Sequence, residues 1–214
     1  MENKSVIFDL DGVLTDSGEG IIKSVQYAFR TLGMDVPPYD QLSVFIGPPL
    51  SETFPKFGVE KGRVDEAIEA FRKRYLVKGK FENKPYPGIE KLLAELNAAG
   101  SHLYVATSKA EPVALEILAK FDLTDYFEQI AGASMDRTRE TKSAVISYLL
   151  STHHIQAEDC IMVGDTAYDV TGAKENGIPC IGVSWGYGKC EDMLKAGAIG
   201  IADTMDQLKE KIIG

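Results

Sequence analysis

Val6-Ile-Phe-Asp9-Leu-Asp11-Gly12-Val-Leu-Thr15 runs a short apolar strand directly into two carboxylates, two positions apart, and a glycine. Side chains two apart on a strand lie on one face, so Asp9 and Asp11 share a side while the strand persists, and Gly12 lets the backbone turn sharply just beyond. Two neighbouring carboxylates repel unless a cation, a shared proton or solvent relieves the cost. Mg²⁺ is the natural relief: it prefers octahedral oxygen ligands and is usually held by one or two carboxylates plus substrate phosphate oxygens. The stretch reads either as the outline of a phosphoryl-transfer site or as an N-terminal strand ending in an acidic turn. Three further segments bear on the choice.

Apolar runs compatible with strands recur at Val6 to Phe8, Leu103 to Ala106, Ile130 to Gly132, Ile161 to Val163, Ile178 to Val183 and Ile199 to Ala202, with helical patterns between most of them. Ile89, Leu92, Leu93 and Leu96 keep one apolar face before Gly100, and Val113, Ile117, Leu118 and Phe121 do the same in the next helix. Alternating strand and helix signals predict an α/β fold, a largely parallel sheet with helices on both faces, which binds ligands at the carboxyl ends of its strands. The exception is the stretch from Asp16 to about Pro85, which has helical patterns and no convincing strand. It reads as an inserted helical module. Asp16 and Ser17 are expected to cap a first helix that Gly33 ends, and Val64, Ala67, Ile68, Phe71 and Tyr75 mark a later one. Gly18 and Gly20 on one side, and Pro85-Tyr-Pro87-Gly88 on the other, are expected hinges of a lid. Phe45-Ile-Gly47-Pro48-Pro49-Leu50 is a stiff apolar turn that either connects helices or faces substrate.

Leu103-Tyr-Val-Ala-Thr107-Ser108 ends a strand in two hydroxyls ahead of a helix expected to begin near Ala110 or Glu111; Thr107 and the free N–H groups there suit phosphoryl oxygens, although a Thr-Ser pair also serves as a simple cap. Cys160-Ile-Met-Val-Gly164-Asp165, with Asp169 following, ends another strand in a carboxylate and places a second one helical turn on. Asp165 can complete a metal's ligand set, with Asp169 holding a metal-bound water, orienting a neighbour, or merely favouring the helix dipole. Lys142 opens an amphipathic helix, where a cation opposes the helix dipole. A residue that breaks a local rule invites a functional reading, here as the cation for the transferring group. Arg137 and Arg139 compete for that role or form an exposed basic loop.

With 214 residues, 44% hydrophobic and 26% charged, the chain can bury a full core. Its net charge of -9 argues against nucleic-acid polymers and anionic membranes as partners. Cys160, Cys180 and Cys190 lack zinc-ligand spacing and are expected as free thiols in a reducing compartment. Met1-Glu-Asn-Lys leads into the first strand without a long apolar stretch, and no run reaches the roughly 18 residues of a membrane span, so the expectation is a cytoplasmic protein.

The four segments in this order resemble the haloacid dehalogenase superfamily, specifically its phosphatases with a helical cap inserted after the first motif. Asp9-Leu-Asp11-Gly-Val-Leu-Thr-Asp16-Ser matches the first motif, Thr107-Ser108 the second, Lys142 the third, and Gly164-Asp165-Thr-Ala-Tyr-Asp169 the fourth. Ile46-Gly-Pro-Pro49, Tyr86-Pro-Gly88 and Trp185-Gly-Tyr-Gly188 are similar to phosphoglycolate phosphatase-like members. The chain departs from its relatives in lacking a proline after Lys142 and in carrying Thr166 where many have arginine. The resemblance implies a Rossmann-like core of residues 1–15 and 86–214 with a cap of 16–85. It implies that Asp9 attacks phosphorus to form an aspartyl phosphate, and that Asp11 protonates the leaving alcohol and then activates water. Asp9, Asp165 and the Asp11 carbonyl would hold Mg²⁺, with Asp169 beside them, while Thr107, the Ser108 N–H and Lys142 stabilise the phosphoryl oxygens.

The implied substrate is a small phosphorylated metabolite. A 5'-nucleotidase or inorganic pyrophosphatase activity is the alternative on the same core. A phosphomutase ranks below these because Ile21 stands where such relatives carry a cap histidine, and so does a non-catalytic binding module, since every implied catalytic position holds a competent residue. Phe45, Gly47 and Pro48 are the candidate cap residues for substrate. Lys23, Arg72, Arg74 and Lys78 are candidate partners for a substrate carboxylate, and Phe45, Tyr75 and Phe81 for a nucleobase.

Overall fold

The central strands of the sheet bury both faces, and the period-two alternation of apolar residues sorts them into two clusters. In the computed structural model, which describes residues 4–136 and 138–214, β1 (Ser5–Phe8) sends Val6 and Phe8 into one hydrophobic cluster and Ile7 into another. Met1 to Asn3, the start of the expected core, and Arg137, one of the competing cations, lie outside the described residues.

After β1 the chain passes through a two-residue strand, β2 (Thr15–Asp16), into three helices: α1 (Gly18–Thr31), α2 (Leu50–Lys56) and α3 (Val64–Tyr75). It returns through β3 (Lys84–Pro85), which pairs antiparallel with β2. The remainder alternates: α4 (Ile89–Ala98), β4 (His102–Ala110), α5 (Glu111–Lys120), β5 (Gln129–Ala133), α6 (Lys142–His153), β6 (Cys160–Gly164), α7 (Ala167–Glu175), β7 (Cys180–Val183), α8 (Cys190–Ala196), β8 (Gly200–Ala202) and α9 (Met205–Ile213). Six strands form one sheet in the order β5-β4-β1-β6-β7-β8, with every pair parallel. This is the expected Rossmann-like α/β fold.

The strand order places the site. The chain builds outward from β1 to β4 and β5, then crosses back to lay β6 on the other side of β1, a reversal that opens a crevice at the carboxyl ends of the strands. Phe8 is in register with Val105 on one side and Val163 on the other, so the residues that follow all three strands emerge together.

Several local expectations are corrected. Ser17 occupies the N-cap position of α1, but its side chain makes no cap hydrogen bond. Asp16 is not a cap either, because its carboxylate accepts from the Tyr187 hydroxyl and pairs with Lys84. The stretch from Asp16 to Pro85 does contain strand, the short β2–β3 pair, which has too few residues for a periodic signal. Gly20 is also required by packing: a Cβ there would lie 1.9 Å from the Gly79 carbonyl oxygen. Between these strands, α1 and α3 pack together through Ile21, Val25, Ala67, Ile68 and Phe71, all within one cluster.

Candidate active site

β1 ends at Phe8, so Asp9 and Asp11 leave the strand parity that would have kept them on one side. Their carboxylates go different ways. Asp9 turns towards α6 and α7: its Oδ1 accepts the Leu10 N–H and meets Lys142 Nζ, each at 2.7 Å. Asp11 turns towards β4 and the helical insert, where its Oδ2 lies 2.8 Å from Lys109 Nζ, while its buried Oδ1 has no hydrogen-bond partner. The turn between them is tight. Gly12 has φ +83°, and a Cβ there would lie 2.1 Å from Asp165 Oδ2, so only glycine lets the first loop approach the carboxylate that ends β6.

Lys142 opens α6, as expected, and is 1% exposed. Its ammonium donates to the Ala106 carbonyl at 3.0 Å and lies 2.7 Å from Asp9 Oδ1 and 2.9 Å from Asp169 Oδ1. Burial works against its charge, but Asp169 and Asp9 outweigh that and hold the ammonium above its ordinary range. The competing Arg139 is turned away: it donates to Glu111 and the Gly132 carbonyl and stacks on Tyr148. It is therefore part of an internal ion pair and not of an exposed basic loop.

Asp169 sits at the third position of α7 in a reciprocal capping box with Thr166. Its Oδ2 accepts from the Asp165 and Thr166 N–H groups and the Thr166 hydroxyl, and its Oδ1 faces Lys142. Both oxygens therefore already have donors. Asp165 has one oxygen held by the Tyr187 N–H at 2.7 Å and the other, Oδ1, buried without a partner. The loop that supplies Tyr187 lies so close that a Cβ on Gly186 or Gly188 would overlap Asp165, which explains two glycines of the Trp185-Gly-Tyr-Gly188 stretch. The Tyr187 hydroxyl also accepts from Gly18 N–H and donates to Asp16, each at 2.7 Å, tying the same loop to the start of the helical insert.

Asp9, Asp165 and Asp169 thus bring carboxylate oxygens within 4.8 Å of one another beside a single lysine. Burial pushes Asp9 up to about 7 against the pull of Lys142. Burial, with Asp169 and Asp9 nearby, raises Asp165 well above the ordinary carboxylate range. An all-oxygen donor set, an excess of negative charge and the unpartnered Asp165 Oδ1 fit a hard divalent cation. The Asp11 side chain is not in this cluster.

A cavity of about 150 Å³ opens over Asp9 and Asp11. Thr107 and Ser108 line it from the end of β4, and Phe45, Gly47, Pro48, Pro49 and Leu50 line it from above, so the apolar turn does face the site. Ile21, Ile68, Phe71, Arg72 and Tyr75 complete the roof. Of the four cations considered, only Arg72 lines the cavity, and it has no ion-pair partner among the described residues. Lys23, Arg74 and Lys78 instead face Glu82. Phe45 and Tyr75 line the cavity, whereas Phe81 packs with Lys80 and Lys120 elsewhere.

Lys109 escaped the sequence reading. It stands two residues beyond Thr107, in a stretch of β4 where the pairing with β5 shifts register between Ala106 and Ala110, and it lines the same cavity as Thr107. An irregularity of this kind leaves no alternation in the sequence from which its direction could be read.

Comparison with known proteins identifies the family. Residues 6–183 match the model of the haloacid dehalogenase-like hydrolase family. The chain is 44% identical over 193 residues to a 5'-nucleotidase of Pseudomonas aeruginosa, covering 90% of this chain and 87% of that one. It is 42% identical over 209 residues to the tyrosine-protein kinase PtkA of Mycobacterium tuberculosis, covering 97% and 72%, and 31% identical over 187 residues to a phosphoglycolate phosphatase of Agrobacterium fabrum, covering 85% and 80%. The crystal structure of a predicted phosphatase from Clostridium acetobutylicum superposes with a TM-score of 0.95 at 42% identity, covering 99% of each chain. The chain belongs to the haloacid dehalogenase-like hydrolases and is an enzyme of that family's phosphatase group.

Proposed function

We propose that this protein hydrolyses a small, acidic phosphomonoester of the phosphoglycolate type through an aspartyl phosphate on Asp9, with Mg²⁺ bound. The observation that carries the reading is Lys142, which is buried against Asp169 and against Asp9, a carboxylate that lines the cavity. A lysine there is stable only beside that much negative charge, and it lies where the transferring group's charge would develop.

Both recorded partners of Asp9 fall on Oδ1, which leaves Oδ2 to attack phosphorus in line. As the bond from phosphorus to the leaving oxygen breaks, Asp11 gives that oxygen a proton. Asp11 then takes a proton from a water that attacks the aspartyl phosphate, releasing inorganic phosphate and restoring Asp9. Thr107, Ser108 and Lys142 stabilise the phosphoryl oxygens. Asp9, Asp165 and the Asp11 carbonyl would hold Mg²⁺, which supplies neutralising charge to those oxygens. Asp169 acts by holding Lys142 and the Asp165 main chain. The segment 16–85 serves as the cap over a core of 1–15 and 86–214. Among the described residues no helix is long and apolar enough to cross a membrane, and the free cysteines fit a reducing compartment such as the cytoplasm.

Size and charge support the substrate class. A cavity of about 150 Å³ over Asp9 and Asp11 suits a phosphoryl group with a short leaving group. Arg72, which has no ion-pair partner among the described residues, offers it a guanidinium. The nucleotidase reading is favoured by the 44% identical relative and by the aromatic rings of Phe45 and Tyr75.

The test is phosphate release from phosphoglycolate, sugar phosphates, nucleoside monophosphates and pyrophosphate, with Mg²⁺ and with chelator, in the parent and in Asp9→Asn. Preferred release from a short acidic ester, abolished by chelator and by Asp9→Asn, is expected. Release unaffected by Asp9→Asn would refute the mechanism, and a preference for nucleotides would refute the substrate class.

A further inference from the structure

Lys109 is the one cation that reaches from the sheet to both Asp11 and the helical insert among the described residues. Its side chain is 6% exposed. Its ammonium lies 2.8 Å from Asp11 Oδ2 and donates to the Tyr75 hydroxyl at 2.5 Å, with the Tyr75 ring centroid 4.7 Å away. Tyr75 is itself fixed: it stacks on Phe71 at 5.1 Å and packs so closely on Gly79 that a Cβ there would lie 2.7 Å from its ring. The lysine is on β4, whereas Phe71 and Gly79, which pack on Tyr75, are on the insert.

The two oxygens of Asp11 are consequently unlike. Oδ2 is taken by the ammonium, while Oδ1 is buried with no partner and Asp11 lines the cavity. A carboxyl group that must hand over a proton and later take one back works through one oxygen at a time, and its rate depends on that oxygen being held within hydrogen-bond reach. An ammonium on Oδ2 stops the carboxyl from rotating and obliges the exchanged proton to use Oδ1.

We propose that Lys109 is a positioning residue that holds Asp11 by Oδ2, leaving Oδ1 to serve the leaving-group oxygen, and that its bond to Tyr75 makes this alignment depend on the insert being seated over the site. When the insert lifts away, Lys109 loses the ring and hydroxyl that confine it, and Asp11 is no longer held in one orientation. Proton transfer is thereby restricted to the closed, water-excluding state. The inference rests on Asp11 being the group that protonates the leaving oxygen.

The experiment compares an alkyl phosphate, whose alcohol must be protonated as it leaves, with p-nitrophenyl phosphate, whose phenolate leaves unprotonated. For Lys109→Met, kcat/KM on the alkyl ester is expected to fall roughly 100-fold or more, and on the aryl ester less than about 10-fold, because general acid catalysis contributes of that order. Tyr75→Phe, which keeps the ring, is expected to show the same bias at smaller size, and it carries the test if Lys109→Met does not fold. In an Asp11→Asn background, adding Lys109→Met is expected to cost nothing further on the aryl ester, since both substitutions remove one function. Equal losses on the two esters, or additive losses in the double variant, would overturn the assignment of Lys109 while leaving the phosphatase reading intact. Absence of Asp9-dependent hydrolysis in the parent protein would overturn both.

Discussion

Removing or adding Mg²⁺ at two pH values tests the charge balance of the site without requiring a substrate. Asp9 is raised from 3.8 to about 7 in the folded protein, so as pH rises through that interval the unfolded chain releases its proton first. Stability from this group is present in full below its unfolded value and is lost as pH climbs towards the folded one. A divalent cation bound by Asp9 and Asp165 acts in the opposite sense, since it competes with the proton. Near pH 8, Mg²⁺ at about 100 times its dissociation constant stabilises by about 2.7 kcal/mol, a rise in Tm of roughly 5–10 °C for a chain of this size. Near pH 5, protonation of Asp9 weakens apparent affinity about 100-fold, and the same Mg²⁺ gives only about 0.4 kcal/mol, roughly 1 °C. Thermal melts in Mg²⁺ and in chelator, at both pH values, read this directly. Equal shifts at the two pH values, or none at either, would refute the argument that these buried carboxylates hold the metal.

Gly12→Ala forces a Cβ against the Asp165 carboxylate at a backbone φ of +83°; a loss of about 2 kcal/mol or more is expected, seen as a lower Tm and a blunted response to Mg²⁺. Arg72→Ala is expected to raise KM for a short acidic ester about 10- to 100-fold with kcat little changed, the worth of a charged hydrogen bond, and an equal rise for a neutral ester of the same size would count against Arg72 as its reader. Tyr187→Phe removes the hydroxyl shared by Gly18 and Asp16 but keeps the N–H that holds Asp165. A drop of about 1–2 kcal/mol in stability with the Mg²⁺ shift in Tm unchanged is expected from melting curves.

The acid-bearing strand ends at Asp9 and Asp165, the hydroxyls at Thr107 and the lysine that opens α6 were all legible in order along the chain. Each is a local event: an apolar run of strand length stops, and a polar residue or glycine follows. The sheet's class was legible for the same reason, since period-two and period-3.6 patterns are written within single segments. The β2–β3 pair was not, because two residues carry no period, and neither was the packing role of Gly20, because what it meets, the Gly79 carbonyl, lies 59 positions away.

What each charge faces belongs to the tertiary structure alone. Asp9 and Asp11 look equivalent on a strand, yet β1 ends before either, and one carboxylate meets Lys142 while the other meets Lys109. Arg139 and Lys142 are near neighbours in sequence, and only packing decides that the first is tied to Glu111 and the second to Asp9 and Asp169. Arg72 is distinguished from Lys23, Arg74 and Lys78 only by where Glu82 lies. Local sequence carries backbone preference and burial pattern, whereas the energy of a charge depends on groups brought within a few ångströms of it by distant parts of the chain, and those are set only when the sheet, its helices and the insert have closed on one another.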